Sequence, residues 1–536
     1  MPAMRNTYCI ALFAVLVVLV LDAYAEVLNV PEQYPTIQAA LDSSAAFDTV
    51  SVAPGVYHEF LIAPAHVLML TGWHPGDTLS EFRTTLDPIP TGIDTPSAAV
   101  FNGDSVAIRN FAFYNQPEYR QYGNATRTGG IHLNRYALSI ENCRFDSVSR
   151  AIKGGSRLYL RNCTFDGCLR QCVFPSVLGR VDCENCAFDG EGTWLLNCYS
   201  GSSIRNSSFL CNRLRAEFLT FAGSNITISG CRFGPCFSAF PIIGASPFEN
   251  CVIESCVFEG IDRASSLIAV YAECSEPFER TPLTIRGNIF MDYHGIDPAA
   301  GTTAISVICQ EIGSQRTVDI YSNVFADGSS NIGAGVWSDG AINVNRNVFE
   351  NLLPDTLADV LISGIFTDTV HARNNSFLAP GIAASTSGPP FDARGNWWGD
   401  STGPYNGFEN PNGQGTEVGN GVEFIPWLTS PPDSLPDTTG TGVDERNELP
   451  DEFSLSVFPN PSNPTTNVHV EVSHSGDYEL ILFNLLGQQV LTVHTGRIDH
   501  FLTTELSLAS APNGMYFLAL ISNDQPLAIH KLLLLK

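Results

Sequence analysis

The sequence predicts an all-β protein: a right-handed parallel β-helix, a solenoid, with an N-terminal capping helix, followed by a small C-terminal β-sandwich. The first observation behind it is a repeat. The stretch Leu283-Thr284-Ile285-Arg286-Gly287-Asn288-Ile289-Phe290 returns from Leu138 to Phe145, from Val318 to Phe325 and from Phe391 to Trp398. Its template is apolar, any, apolar, any, small or polar, ladder residue, any, aromatic. Aligned on it, the ladder position reads Phe111, Cys143, Cys163, Cys186, Ser207, Cys231, Cys256, Asn288, Asn323, Asn347, Asn375 and Asn396. Two places on come Phe113, Phe145, Phe165, Phe188, Phe209, Phe233, Phe258, Phe290, Phe325, Phe349, Phe377 and Trp398, so eleven of the 33 Phe share one position of one repeat. The second observation is the period: ladder residues lie 20 to 35 apart, as in a solenoid. The third is the texture of each unit, a short alternating β-branched run broken by Gly, Asn and Ser rather than an amphipathic helix.

Alternation puts Ile285 and Phe290 inward and Arg286 outward. Like residues then stack coil over coil, about 4.8 Å apart. Asn suits the recurring bend because its amide can bond along the stack and it tolerates tight-turn dihedrals. A small Cys fits the same interior corner.

In chain order, residues 1–25 read as a secretory signal: Arg5 supplies the positive start, Ile10 to Leu21 the apolar run, and Ala23-Tyr24-Ala25 the small-residue cleavage site. Residues 26–428 hold the solenoid and its end caps. At its start, Pro35 and Thr36 suit a helix N-terminus, and Ile37, Ala40 and Leu41 form an apolar face. Such a helix would cover strand edges that the first coil otherwise exposes. Upstream of each ladder residue runs a second apolar strand, with inward residues expected at Ile131, Ile152, Val173, Leu195, Leu219, Ile242, Ile268, Ile305, Val336, Leu361 and Ile382. Longer excursions at 115–137, 260–282 and 291–317 are where a rigid stack would carry clefts. A Gly- and Asn-rich run from Gly395 to Trp427 reads as the C-terminal cap.

Residues 429–452 form a linker of Pro, Thr and Gly, with seven acids against Arg446. Residues 453–536 then hold alternating strands spaced as in a small sandwich of about 80 residues. They open on Phe458-Pro459-Asn460-Pro461, pass through Leu486-Gly487-Gln488 and Asn513-Gly514-Met515-Tyr516, and end on the run Lys531 to Lys536.

The repeats resemble the pectate-lyase-like β-helix superfamily over roughly residues 26–428. The start, with Gly55-x-Tyr57-x-Glu59, looks like the N-terminal cap of the pectin methylesterase and pectate lyase families, a cap that carries no chemistry itself. The C-terminal block resembles the C-terminal sorting domain of the bacterial type IX secretion system. That resemblance implies the outer-membrane type IX machinery as a partner, and a secreted or cell-surface location.

The chain of 536 residues is 44% hydrophobic, 15% charged and carries a formal charge of −27 with three Lys: Lys153, Lys531 and Lys536. Such acidity argues against nucleic acid or an anionic membrane as a whole-protein partner, and a monomer is expected. Of 15 Cys, fourteen would follow the signal. An even number in an exported chain suggests disulfides, whereas stacked ladder thiols that point the same way suit packing. Cys168, Cys172, Cys183 and Cys186 imitate zinc-ligand spacing, but Cys186 belongs to the ladder, so no metal site is assigned. A calcium loop using Asp400, Asn410 and Asn412 would be short of carboxylates, and no cofactor is identified.

No complete catalytic motif appears. The paired aspartates of a pectin methylesterase are missing, and only Asp292-Tyr293-His294-Gly295-Ile296-Asp297, expected in a loop, faintly resembles part of a polygalacturonase motif. A paired-carboxylate glycosidase has no support, so catalytic residues stay unassigned. The distinctive feature is charge. Residues 120–180 hold ten basic residues (Arg120, Arg127, Arg135, Arg144, Arg150, Lys153, Arg157, Arg161, Arg170, Arg180) against Glu141, Asp146 and Asp166, or +7 within a chain of −27. His132 and Lys153 should stack outward on adjacent coils. With Arg135 and Arg150 they form a candidate site for a polyuronate or sulfated glycan; the plainer alternative is that these bases balance acidic neighbours. Trp337 with Asp339 is a second candidate, as a sugar-stacking platform. The function expected is an exported protein that binds or acts on an anionic polysaccharide. The alternatives are a non-catalytic structural or adhesive surface protein and a polysaccharide lyase of unrecognised type.

Overall fold

The computed structural model describes residues 25–432 and 453–534 apart from segments between strands, the longest being 74–83, 89–97, 115–128, 273–282 and 295–302. The signal predicted at the N-terminus, most of the linker and much of each long excursion lie outside the described residues. The chain divides into two compact units, Met1–Thr438 and Thr439–Lys536.

The first unit is a parallel β-helix. Among the described residues its strands form three long sheets of 16, 14 and 14 strands. Each coil adds one strand to each sheet. The first sheet holds the run before the ladder residue, the second the run after it, and the third the strand that closes the coil. Because the side-chain period is 2, equal register on successive coils turns every inward position into a column. One column on the first sheet reads Ile140, Leu160, Cys183, Ile204, Ile228, Ile253, Ile285, Ile320, Val344. On the second sheet the predicted aromatic column forms in full from Phe113 to Trp398, each ring stacked on the next with centroids 4.7 to 5.1 Å apart.

The ladder between these sheets is buried throughout. Its Asn half is a continuous hydrogen-bonded stack. Asn288 Nδ2 donates to Asn323 Oδ1 (3.0 Å), Asn323 Nδ2 to Asn347 Oδ1 (3.0 Å), Asn347 Nδ2 to Asn375 Oδ1 (3.0 Å) and Asn375 Nδ2 to Asn396 Oδ1 (2.9 Å). The backbone N–H of each of these first four donates to the same oxygen. Tolerance of the tight turn, however, belongs to the preceding residue. Asn110, Asn142, Asn162, Asn185, Asn206, Gly230, Ser255, Gly287, Ser322, Arg346, Asn374 and Gly395 all have positive φ, between 48° and 70°. Left-handed backbone favours Gly and Asn, which explains the small-or-polar place in the template.

On the third sheet the inward column runs Ile131, Ile152, Val173, Leu196, Leu219, Ile243, Ile268, Ile305, Val336 and Ala384, with the backbone of Leu361 in register between the last two. It corrects three expectations, for Leu195, Ile242 and Ile382. Leu195 and Ile242 are also buried, at the strand entrance beside the column, while Ile382 is partly exposed.

At the N-terminal end a helix spans Ile37–Ser43, with Ile37, Ala40 and Leu41 buried. Thr36 Oγ1 accepts from Ala39 N, and the Glu59 carboxylate accepts from Ile37 N (3.1 Å) and Gln38 N (3.0 Å). These bonds satisfy three of the donors that a helix start leaves open, which gives Glu59 of the Gly-x-Tyr-x-Glu motif its role. Tyr57 ties the same loop by donating its hydroxyl to Ala53 O. Among the described residues no helix is long and apolar enough to cross a membrane.

The second unit has two antiparallel sheets. One holds Phe453–Phe458, Thr465–Val472 and Phe501–Ser507; the other holds Gln489–Ile498, Gly476–Asn484, Gly514–Ser522 and Gln525–Leu534. They share a core of their own that includes Val468, Leu480, Leu518 and Leu532.

Candidate functional site

The outward column of the third sheet stands one residue past the inward column. His132 is in register with Lys153, and Lys153 with Phe174. Val173 pairs with Leu196, so Asn197 continues the column, followed by Thr220, Gly244, Ala269, Ser306 and Trp337. His132, Lys153, Phe174, Asn197, Thr220 and Gly244 are all partly exposed, but Ala269 is 1% exposed. The open stretch therefore ends before Trp337, about 34 Å and seven strands from Lys153. The two candidate sites share a column without forming one surface. Asp339 follows the end of the Trp337 strand, where its N–H donates to Val307 O (2.9 Å).

Lys153 makes no ion pair among the described residues. Arg150 sits on the same strand, paired with Gln171 at its other end rather than in the His132–Lys153 column. Arg135 lies outside the described residues, as do Arg120, Arg127 and Arg170.

The remaining bases do not form one patch. They lie on different sheets, and several are held by acids. Arg144 on the second sheet pairs with Asp146 (3.2 Å) and Asp166 (2.8 Å). On the first sheet Arg161 pairs with Glu184 (2.9 Å) and Arg180 with Asp182 (2.7 Å). For these three the balancing role holds. The charge excess in the sequence overstates the local field because successive strands face different ways.

The other weak motifs also find places. Asp292 and His294 lie on the strand Ile289–His294, not in a loop, with His294 Nε2 3.0 Å from Asp292 Oδ1 and both groups exposed. Cys168, Cys172 and Cys183 belong to strands of three different sheets, which separates the zinc-like spacing onto three walls of the coil. Cys186 is a buried ladder residue. Burial pushes the Cys143 and Cys198 thiols up to about 12, as expected for packing rather than ligating groups. In the Gly- and Asn-rich cap, Asp400 Oδ1 accepts from Thr402 N and Oγ1. Asn410 Nδ2 donates to Thr402 O and Pro404 O. The Asn410 amide thus occupies carbonyls that a cation would otherwise draw on, and Asn412 is exposed.

Phe174 and Asn197 were missed in the sequence. The signal was available, since each stands one place past an apolar residue of the third sheet, but it needs the register of that sheet.

Residues 151–312 match the family model described as right handed beta helix region. The chain is thus a right-handed parallel β-helix protein. Residues 456–534 match the secretion system C-terminal sorting domain, so this is a β-helix protein exported by type IX secretion, to the cell surface or beyond it. No curated protein matches the chain. Solved structures similar to it include an alginate lyase from Paenibacillus sp. str. FPU-7, with 15% identity, a TM-score of 0.31 and coverage of 64% of this chain and 99% of that one. Another is a mutant tailspike protein of E. coli bacteriophage HK620 in complex with a pentasaccharide, with 10% identity, a TM-score of 0.32 and coverage of 87% and 88%. At these scores neither carries an argument about what this chain binds.

Proposed function

We propose that this exported β-helix protein binds an anionic polysaccharide on the outer face of its third sheet, at His132 and Lys153 with Phe174 beside them. One observation supports it above the rest: in a chain of −27, Lys153 stands without an ion pair among the described residues, in register with His132 on one side and a partly exposed Phe on the other. Lys153 is an ammonium without an ion pair among the described residues, and a bound carboxylate or sulfate supplies its counter-ion. The aromatic ring offers a flat face for a sugar ring, and the acidic surroundings confine an anionic chain to this stretch. Arg150 lies at the margin. Trp337 and Asp339 form a separate platform further along the column.

The test is binding of the full chain to polygalacturonate, dextran sulfate and a neutral glucan. An exposed cation contributes up to about 1 kcal/mol to an ion pair, so the His132→Ala, Lys153→Ala double variant should bind the anionic polymers on the order of tenfold more weakly. The loss should shrink as salt rises, and the fold should persist because both side chains face outward. Equal affinity of parent and double variant at low salt removes the site. New chain ends released in the same assay would add catalysis to binding.

A further inference from the structure

One bend breaks the rule that the others keep. Of the left-handed residues that precede the ladder, all are Asn, Gly or Ser except Arg346, whose φ is 55°. L-residues with long side chains disfavour that backbone, and a residue held in it against the local pattern points to a role beyond the fold. Arg346 is exposed, and its guanidinium makes no ion pair among the described residues, in a chain of −27.

Its surroundings are basic. Arg346 N donates to Arg373 O (3.2 Å), so the two residues stand on adjacent coils. The register of His371 with Asp392 places Arg394 one coil beyond Arg373. Asp392 is divided between these two arginines: Arg394 grips it through Nε and Nη2, and Arg373 reaches it through Nη2 alone. Arg373 therefore keeps donors that the carboxylate does not use. Asp319 on the same sheet accepts from Asn343 Nδ2 (2.7 Å), and Glu423 lies on the strand beyond Asp392.

We infer that Arg346 and Arg373 form an oxyanion site towards the C-terminal end of the β-helix, which takes a carboxylate or sulfate group of an acidic glycan. The ligand class is that of the function proposed above, but the site is separate, at the bend between the first and second sheets. A guanidinium presents its N–H groups as a fork that matches two oxygens of a carboxylate or sulfate. Forks on coils about 4.8 Å apart can close on one such group from two sides. Arg394 acts as a positioning residue: its two-point grip on Asp392 leaves Arg373 only partly neutralised.

The experiment titrates the full chain at low salt with sodium sulfate, trigalacturonate and a sulfated disaccharide. It uses the parent, Arg346→Asn, Arg346→Lys, and the His132→Ala, Lys153→Ala double variant with and without Arg346→Asn. Arg346→Asn should weaken sugar binding about fivefold, with or without the double substitution. It should also raise the urea midpoint, because Asn tolerates left-handed backbone better than Arg. Arg346→Lys keeps the charge without the fork, so its affinity should fall between. Equal affinity of Arg346→Asn and parent for both sugars overturns the inference, and a lowered midpoint with it assigns Arg346 to stability instead. An effect confined to the sulfate ion leaves a counter-ion position and overturns the glycan site. A double variant that binds neither sugar overturns the inference while leaving the His132–Lys153 site standing. A parent that binds neither overturns both.

Discussion

At each bend of the β-helix two adjacent residues divide the work: one takes the left-handed backbone and the next turns its side chain into the core. Asn323 shows what the second position contributes. Its Nδ2 donates to Ile285 O and Asn347 Oδ1, and its Oδ1 accepts from the N–H and the amide of Asn288. Asn323→Ala would strand several of these groups in the core, where each unmatched one costs about 1 to 3 kcal/mol. Cys231, at the same place on an earlier coil, offers only weak sulfur contacts to Ile204 O (3.6 Å) and Ser229 O (3.4 Å). Asn323→Ala should therefore lower stability by about 3 kcal/mol or more, and Cys231→Ala by about 1 kcal/mol. Hydrogen exchange of the amides on the flanking coils measures both. Equal protection losses would mean that the Asn stack adds no more than its volume.

Among elements, the N-terminal helix depends most on its surroundings. With seven residues it is too short to persist alone and is held by its buried face and by the Thr36 and Glu59 caps. The loop behind it is tied by Asp48, which is 4% exposed and accepts from Glu26 N (2.8 Å) and Ala45 N (2.6 Å). These backbone donors, Ala45 first, hold the Asp48 carboxyl below its ordinary value of 3.8. Folded below unfolded means that its contribution is fully present above pH 3.8 and is lost as pH falls through the folded value. Asp48→Asn should cost about 1 kcal/mol at neutral pH and leave the N-terminal end less sensitive to acid. Exchange protection of residues 26–45 followed from pH 6 to pH 2.5 checks the sign. A variant that loses protection on acidification as steeply as the parent assigns the acid sensitivity to another group.

For the whole molecule, the two units have separate cores, so removing one should leave the other folded. A chain ending at Pro450 should keep the β-helix but fail to cross the outer membrane. Cell fractionation of the producing bacterium should find it in the periplasm and the parent at the surface or in the medium. Normal surface levels of the shortened chain would show that export does not need the sorting domain.

The amino-acid sequence alone carried the solenoid, the Phe and Asn columns and the His132–Lys153 register. These follow from local rules: alternation of period 2 sets which side chains face in, and a repeat of similar units makes like residues stack. It also carried the sorting domain, whose motifs are contiguous. Tertiary structure decided what depends on neighbours 20 or more residues away. It moved the left-handed residue one place before the ladder and shifted three inward positions on the third sheet. It split the basic stretch among sheets, neutralising Arg144, Arg161 and Arg180 and leaving Lys153 outward without an ion pair among the described residues. It also brought Phe174 beside that lysine, with Asn197 one coil further on. The variable excursions between ladder residues are the reason: they change the distance along the chain between strands that touch, so outward neighbours are known only once the coils are stacked.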